Sequence, residues 1–146
     1  MKTISSILLI YTFFTLTIYA QKSTAMVDSK GHIYYENKII GKISSAGSLD
    51  PSGKSMTTIN RDGNIVDTAG KVIGKAPKNN NFPYYISDTE EKYTIEEPTH
   101  NGICYVKNKK GETVLLLHQN YKAQAACAIH CLYENHCMPV ESKHKH

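Results

Sequence analysis

The chain has 146 residues, 40% of them hydrophobic, with 17 Lys and Arg against 13 Asp and Glu and a formal net charge of +4. That is one domain's worth of chain, and its charges are mixed in sign along the sequence instead of blocked, which argues against nucleic acid as a partner. No stretch after residue 20 is apolar for long enough to span a bilayer.

Residues 1–20 have the three parts of a secretory signal. Lys2 supplies the positive start, Ile4 to Leu16 the apolar run, and Ala20 a small residue before Gln21. The run is short for a transmembrane anchor, which needs about 20 predominantly apolar residues. Thr12, Thr15 and Thr17 dilute it further. The protein is therefore expected to be secreted or periplasmic, cleaved near Ala20, with no stable transmembrane anchor. Cleavage would leave 126 residues, take Lys2 with it and lower the net charge from +4 to +3. Export also disfavours nucleic acid as a partner.

After an N-terminal segment at 21–28, a repeat organises residues 29–76. Gly31, Gly47 and Gly63 fall 16 residues apart and define units at 29–44, 45–60 and 61–76. Each unit has a Gly-led turn, a short apolar run, a second turn ending in a Lys, and another apolar run. Ile40-Gly41-Lys42 and Ile73-Gly74-Lys75 repeat almost verbatim. Short strands alternating with Gly, Asn and Asp turns predict one hairpin per unit. A lone hairpin cannot bury its apolar face, so the units must stack or close into a barrel or flower. The sequence leaves open whether the sheet closes or keeps an edge free for a second copy.

The run Asp62 to Lys75, with its Asp-Gly turn and Gly70-Lys71-Val72-Ile73-Gly74-Lys75, resembles the tandem units of exported Bacteroidetes proteins described as five-fold β-flower proteins. The likeness covers about 29–76 and is loosest in the first two units. It implies a fold built from repeated hairpins. It carries no activity with it, because such repeats are structural consensus.

Residues 77–102 read as a loop-rich connection with weak strands near Tyr84 to Ile86 and Tyr93 to Glu96, around a charged turn from Ser87 to Lys92. Ile103 to Lys107 and Thr113 to Leu117 flank Asn108-Lys109-Lys110-Gly111 and predict a hairpin. The basic cluster Lys107, Lys109 and Lys110 reads as its solvated turn. Val114 to Leu117 is continuously apolar, which predicts burial on both faces. A helix is expected over Tyr121 to Glu134, capped by Asn120 and stopped by Asn135 and Pro139. Its apolar stripe would be Tyr121, Ala125, Ala128, Ile129 and Leu132. This hairpin and helix make up 103–138, within one domain at 21–138, and 139–146 reads as a disordered tail. The fold class is mainly β with one C-terminal helix.

The four cysteines, Cys104, Cys127, Cys131 and Cys137, all lie in the last 43 residues. An even count in an exported chain points to two disulfides, preferably Cys104–Cys127 and Cys131–Cys137. Each would contribute roughly 2–4 kcal/mol by constraining the unfolded chain. The alternative is a soft-metal site. Cys127, His130 and Cys131 share a helix face, and with Cys137 and His136 they could hold zinc, or copper given Met138 and the His144-Lys145-His146 tail. A catalytic thiol is the third reading. It lacks a Cys-x-x-Cys motif, a nucleophile elbow, a zinc-protease helix or a phosphate loop. The carboxylates Glu90, Glu91, Glu96 and Glu97 read as a solvated edge. The sequence thus predicts a non-enzymatic binding or structural module with no cofactor. Its partner would be a cell-envelope protein or glycan, met by Tyr34, Tyr35, Tyr84 and Tyr85, since tyrosine suits wet interfaces.

Overall fold

The computed structural model describes residues 24–86 and 89–134. The signal segment, Ser87 and Asp88 of the charged turn, His136, Cys137 and the tail lie outside the described residues.

The turns follow a local rule that the side chains themselves enforce. Asp28, Asp50, Asn60, Asp67 and Asn108 each open a turn whose fourth residue is glycine. Each side-chain Oδ1 accepts the backbone N–H of the second and fourth residues beyond it, at 2.8–3.0 Å. The glycine N–H donates back to the opening residue's carbonyl, as Gly31 does to Asp28 at 3.1 Å. That geometry requires positive φ at the fourth position, and Gly53 and Gly70 take φ of 88° and 83° in open space. Two tighter turns use consecutive left-handed residues, Glu36-Asn37 and Asn79-Asn80.

Ten of the strands pair as five hairpins. They are β2 (His32–Tyr35) with β3 (Lys38–Ser44), β4 (Gly47–Leu49) with β5 (Ser55–Ile59), β6 (Asn64–Asp67) with β7 (Val72–Lys75), β8 (Asn81–Ile86) with β9 (Thr89–Ile95), and β10 (Ile103–Lys107) with β11 (Thr113–His118). The eleventh strand, β1 (Ala25–Val27), pairs antiparallel with β2 and parallel with β11, and closes the sheet into a barrel. The meander and the three repeat hairpins are as the 16-residue period predicts. The region expected as a loop-rich connection with weak strands near Tyr84 to Ile86 and Tyr93 to Glu96 supplies a full fourth hairpin, whose strands are longer than expected and take in Thr89 to Lys92 of the expected charged turn. Its strands carry Pro83 and polar residues, which weaken the sequence signal. Pro83 has no N–H to donate, and β7 and β8 share only the Gly74–Tyr84 register pair.

One backbone bond recurs in every hairpin. The end of each second strand donates to the turn that precedes its own first strand: Ile43 to Gly31, Ile59 to Ala46, Ala76 to Gly63, Ile95 to Asn80 and Gln119 to Gly102, at 2.7–2.9 Å. Two residues inside that bond lies a layer of cross-strand pairs: Ile33–Gly41, Ser48–Thr57, Ile65–Gly74, Phe82–Tyr93 and Cys104–Leu117. Every member is buried. Each of the first three hairpins contributes at least one small or polar residue to this layer, Gly41, Ser48 with Thr57, and Gly74, whereas the fourth contributes two aromatic rings.

Each of those first three hairpins also carries a β-bulge. The register slips so that Ile40, Met56 and Ile73 are the extra residues. A bulge breaks the alternation of faces, so neighbours can turn to the same side. Ile40 and Gly41 are both buried, as are Ile73 and Gly74.

A barrel of eleven strands is wider than its own side chains fill, and the C-terminal helix occupies the remaining interior. A 3₁₀ segment, Gln119–Gln124, leads into α1 (Ala125–Glu134). The cap is His118, whose Nδ1 accepts the Asn120 N–H at 3.3 Å, so Asn120 lies inside the segment it was expected to cap. Ala125 through Leu132 are buried without interruption, where a single apolar stripe was expected. A helix buried all round is one enclosed by its neighbours. It packs on β3, β4, β7 and β8. Gly74 lets it approach: a Cβ there would sit 3.0 Å from the Ala126 Cβ. β11 also departs from expectation. Leu115 and Leu117 point inward at 0% exposure, Leu116 is half-buried on the outside, and Val114, the extra residue of a bulge, is half-buried against the core.

Candidate functional site

Cys127 and Cys131 are four residues apart on α1 and therefore share a face. The strands opposite are β4 and β5, and there the inward layer is polar. Ser48 and Thr57 are buried, with Oγ and Oγ1 2.6 Å apart. The Cys131 thiol lies beside the Ser48 hydroxyl and the Cys127 thiol beside that of Thr57. Met56, the bulge residue of β5, receives the Cys131 thiol at its Sδ over 3.7 Å. Burial pushes the Cys127 thiol up to about 11 and the Cys131 thiol up to about 12, outweighing the hydroxyl donors that favour the thiolate.

The other sequence-selected residues are elsewhere. Cys104 is buried on β10 opposite Leu117, where burial also raises its thiol, with Lys122 and Glu97 the charges it senses. Cys104, Cys127 and Cys131 carry no disulfide. The expected Cys104–Cys127 bond is thus not formed here: Cys104 belongs to the fifth hairpin, whereas Cys127 is turned toward Thr57 in the second. Cys137, expected to pair with Cys131, lies outside the described residues.

His130 is turned away from the thiols. Its Nδ1 lies 2.9 Å from the Tyr84 hydroxyl, and its Nε2 reaches Glu134 only at 4.0 Å. Burial holds its pKa below the ordinary imidazole value, against the opposing pull of Glu134 and Asp67. Among the described residues, no group of three His, Cys, Asp or Glu side chains is placed to hold a metal ion. Tyr84 is 2% exposed, so it is core and not a contact residue. Tyr34, Tyr35 and Tyr85 are half-buried.

Sequence reading missed one outer feature. Register places Ile39, Tyr34, Met26, Leu116 and Tyr105 side by side across β3, β2, β1, β11 and β10. Ile39, Met26 and Tyr105 are 38–48% exposed. Two hairpins at opposite ends of the chain supply most of the row, and barrel closure through the Met26–Leu116 pair makes them neighbours. Among the described residues no helix is long and apolar enough to cross a membrane.

No family model matches the chain, and no significant match exists among curated proteins or solved structures.

Proposed function

We propose that the mature chain, beginning at Gln21, is an exported, non-enzymatic binding or structural module of the β-flower type. One observation carries this reading: the side chains that could do chemistry are packed inside the barrel as protonated thiols and a neutral imidazole. A thiolate nucleophile needs a lowered pKa and access to substrate, and Cys127 and Cys131 have neither. The fivefold recurrence of the hairpin supports kinship with the β-flower proteins. The working surface is then the outside of the barrel. Its contact row is Ile39, Tyr34, Met26, Leu116 and Tyr105, a strip of aliphatic and aromatic residues that suits a cell-envelope protein better than a sugar.

Two measurements test this. Intact mass of exported protein is expected to begin at Gln21, and material retaining residues 1–20 would defeat the export reading. Purified protein is expected to sediment with isolated cell envelopes. The triple substitution Met26→Ser, Tyr34→Ser and Tyr105→Ser should reduce that by about tenfold, the effect of losing central anchors. Equal sedimentation of the variant defeats the contact-row reading.

A further inference from the structure

We propose that Cys127, Cys131 and Met56 form a three-sulfur site for one cuprous ion. This goes beyond the reading of an exported binding module and does not depend on it. The two thiols share a helix face, and the bulge in β5 brings a thioether to the second of them, 3.7 Å from Sγ to Sδ. Three sulfurs around one ion, with metal–sulfur bonds of ~2.3 Å, lie about 4 Å apart in a trigonal plane. The Cys131–Met56 spacing of 3.7 Å is within a few tenths of an ångström of that, and Cys127 lies on the same helix face one turn away.

The donor chemistry selects the ion. Thiolate and thioether sulfur favours Cu(I), whereas structural zinc takes four ligands and seldom a thioether. His130, the nearest imidazole in sequence, is committed to Tyr84. The surroundings suit the bound form. Ser48 and Thr57 lie beside the two sulfurs, and because their mutual bond uses one hydroxyl proton, the other remains to be donated to a deprotonated sulfur. Gly41 leaves the space beside Cys131 clear, since a Cβ there would come within 3.3 Å of Sγ. Met56 is only partly buried, so the ion can enter where its side chain swings aside. On binding, Cu(I) replaces the two thiol protons, which pass to solvent, and no oxidant or reductant is consumed.

The test is an anaerobic titration of the reduced mature protein with Cu(I) against a chromogenic cuprous chelator. One ion per chain is expected. X-ray absorption of the loaded, unmodified protein should show sulfur alone as the ligand atom. Met56→Leu should weaken binding by about tenfold or more, the scale on which loss of one supporting partner is felt, with its thermal unfolding unchanged. Cys131→Ser should abolish competition with the chelator. Replacing His136, Cys137, Met138, His144 and His146 together should leave the affinity within about threefold of the parent. Nitrogen ligands in the absorption spectrum overturn the proposal whatever the variants do. So does affinity lost with the tail replacements, or exported protein in which Cys127 or Cys131 is already in a disulfide.

Discussion

Glycine does two different jobs here, and substitution separates them. Gly74 has ordinary φ but no room: an added Cβ would lie 3.0 Å from both the Ala126 Cβ and the Pro83 carbonyl oxygen. Gly74→Ala should cost about 1–3 kcal/mol by forcing the helix and β8 apart. Gly70 has room but a φ of +83°. Gly70→Ala should cost about 1 kcal/mol through backbone strain alone. Urea unfolding of both variants checks the two values. The buried thiols give a second test. With Cys127 up to about 11 and Cys131 up to about 12, alkylation of the folded protein at mildly alkaline pH should be slower than in urea by on the order of a hundredfold. Comparable rates in both states would show that these thiols are not enclosed. His130 gives a third. Burial lowers its folded pKa below the ordinary imidazole value of about 6.5, so below that value the unfolded chain binds the extra proton. Stability from this group is therefore lost as pH falls from about 6.5 toward the lower folded value. His130→Gln should flatten that part of a curve of unfolding free energy against pH.

At the scale of elements, the turns are self-contained. Asn60 holds the N–H groups of Asp62 and Asn64 with one side-chain oxygen, both at 3.0 Å. Asn60→Ala leaves both without that acceptor and should cost about 1–2 kcal/mol, measured by thermal unfolding. Such turns are legible in sequence because donor, acceptor and glycine lie within five residues. The bulges are not. Ile40-Gly41 and Ile73-Gly74 were visible as a repeated phrase, but strand alternation assigns their neighbours to opposite faces. Only the slipped register shows both residues turned inward. The same slip hid Met56, which the sequence presents as one polar-flanked methionine. The helix was legible from its composition. Its cap was not, because His118 belongs to the strand before it and caps only because β11 runs directly into the 3₁₀ segment.

The whole molecule depends on a short strap and a plug. β1 has three residues, yet it covers the free edges of both β2 and β11. A chain beginning after Asp28 would expose both edges, and open strand edges pair with other copies. It should elute from size exclusion as larger species than the parent does at the same concentration. The helix is the plug. Leu132 is 2% exposed within the barrel, and Leu132→Ala should cost about 2–5 kcal/mol through the cavity it leaves. Because strands and helix share one core, far-ultraviolet and tyrosine signals of that variant should still fall in a single transition.

The sequence by itself determined the units: the Asx–Gly turns, the 16-residue hairpins, the Ile103–His118 hairpin and the helical run after it. Each rests on interactions among residues close in the chain, so each leaves a local signature. The tertiary structure alone decided closure by β1, the full length of the fourth hairpin's strands, enclosure of the helix and the meeting of Cys131 with Met56, 75 residues away. These depend on strand register and on the space inside an eleven-stranded barrel. Neither quantity is written in any short stretch of residues, because both arise only when distant strands pair and the remaining volume must be filled.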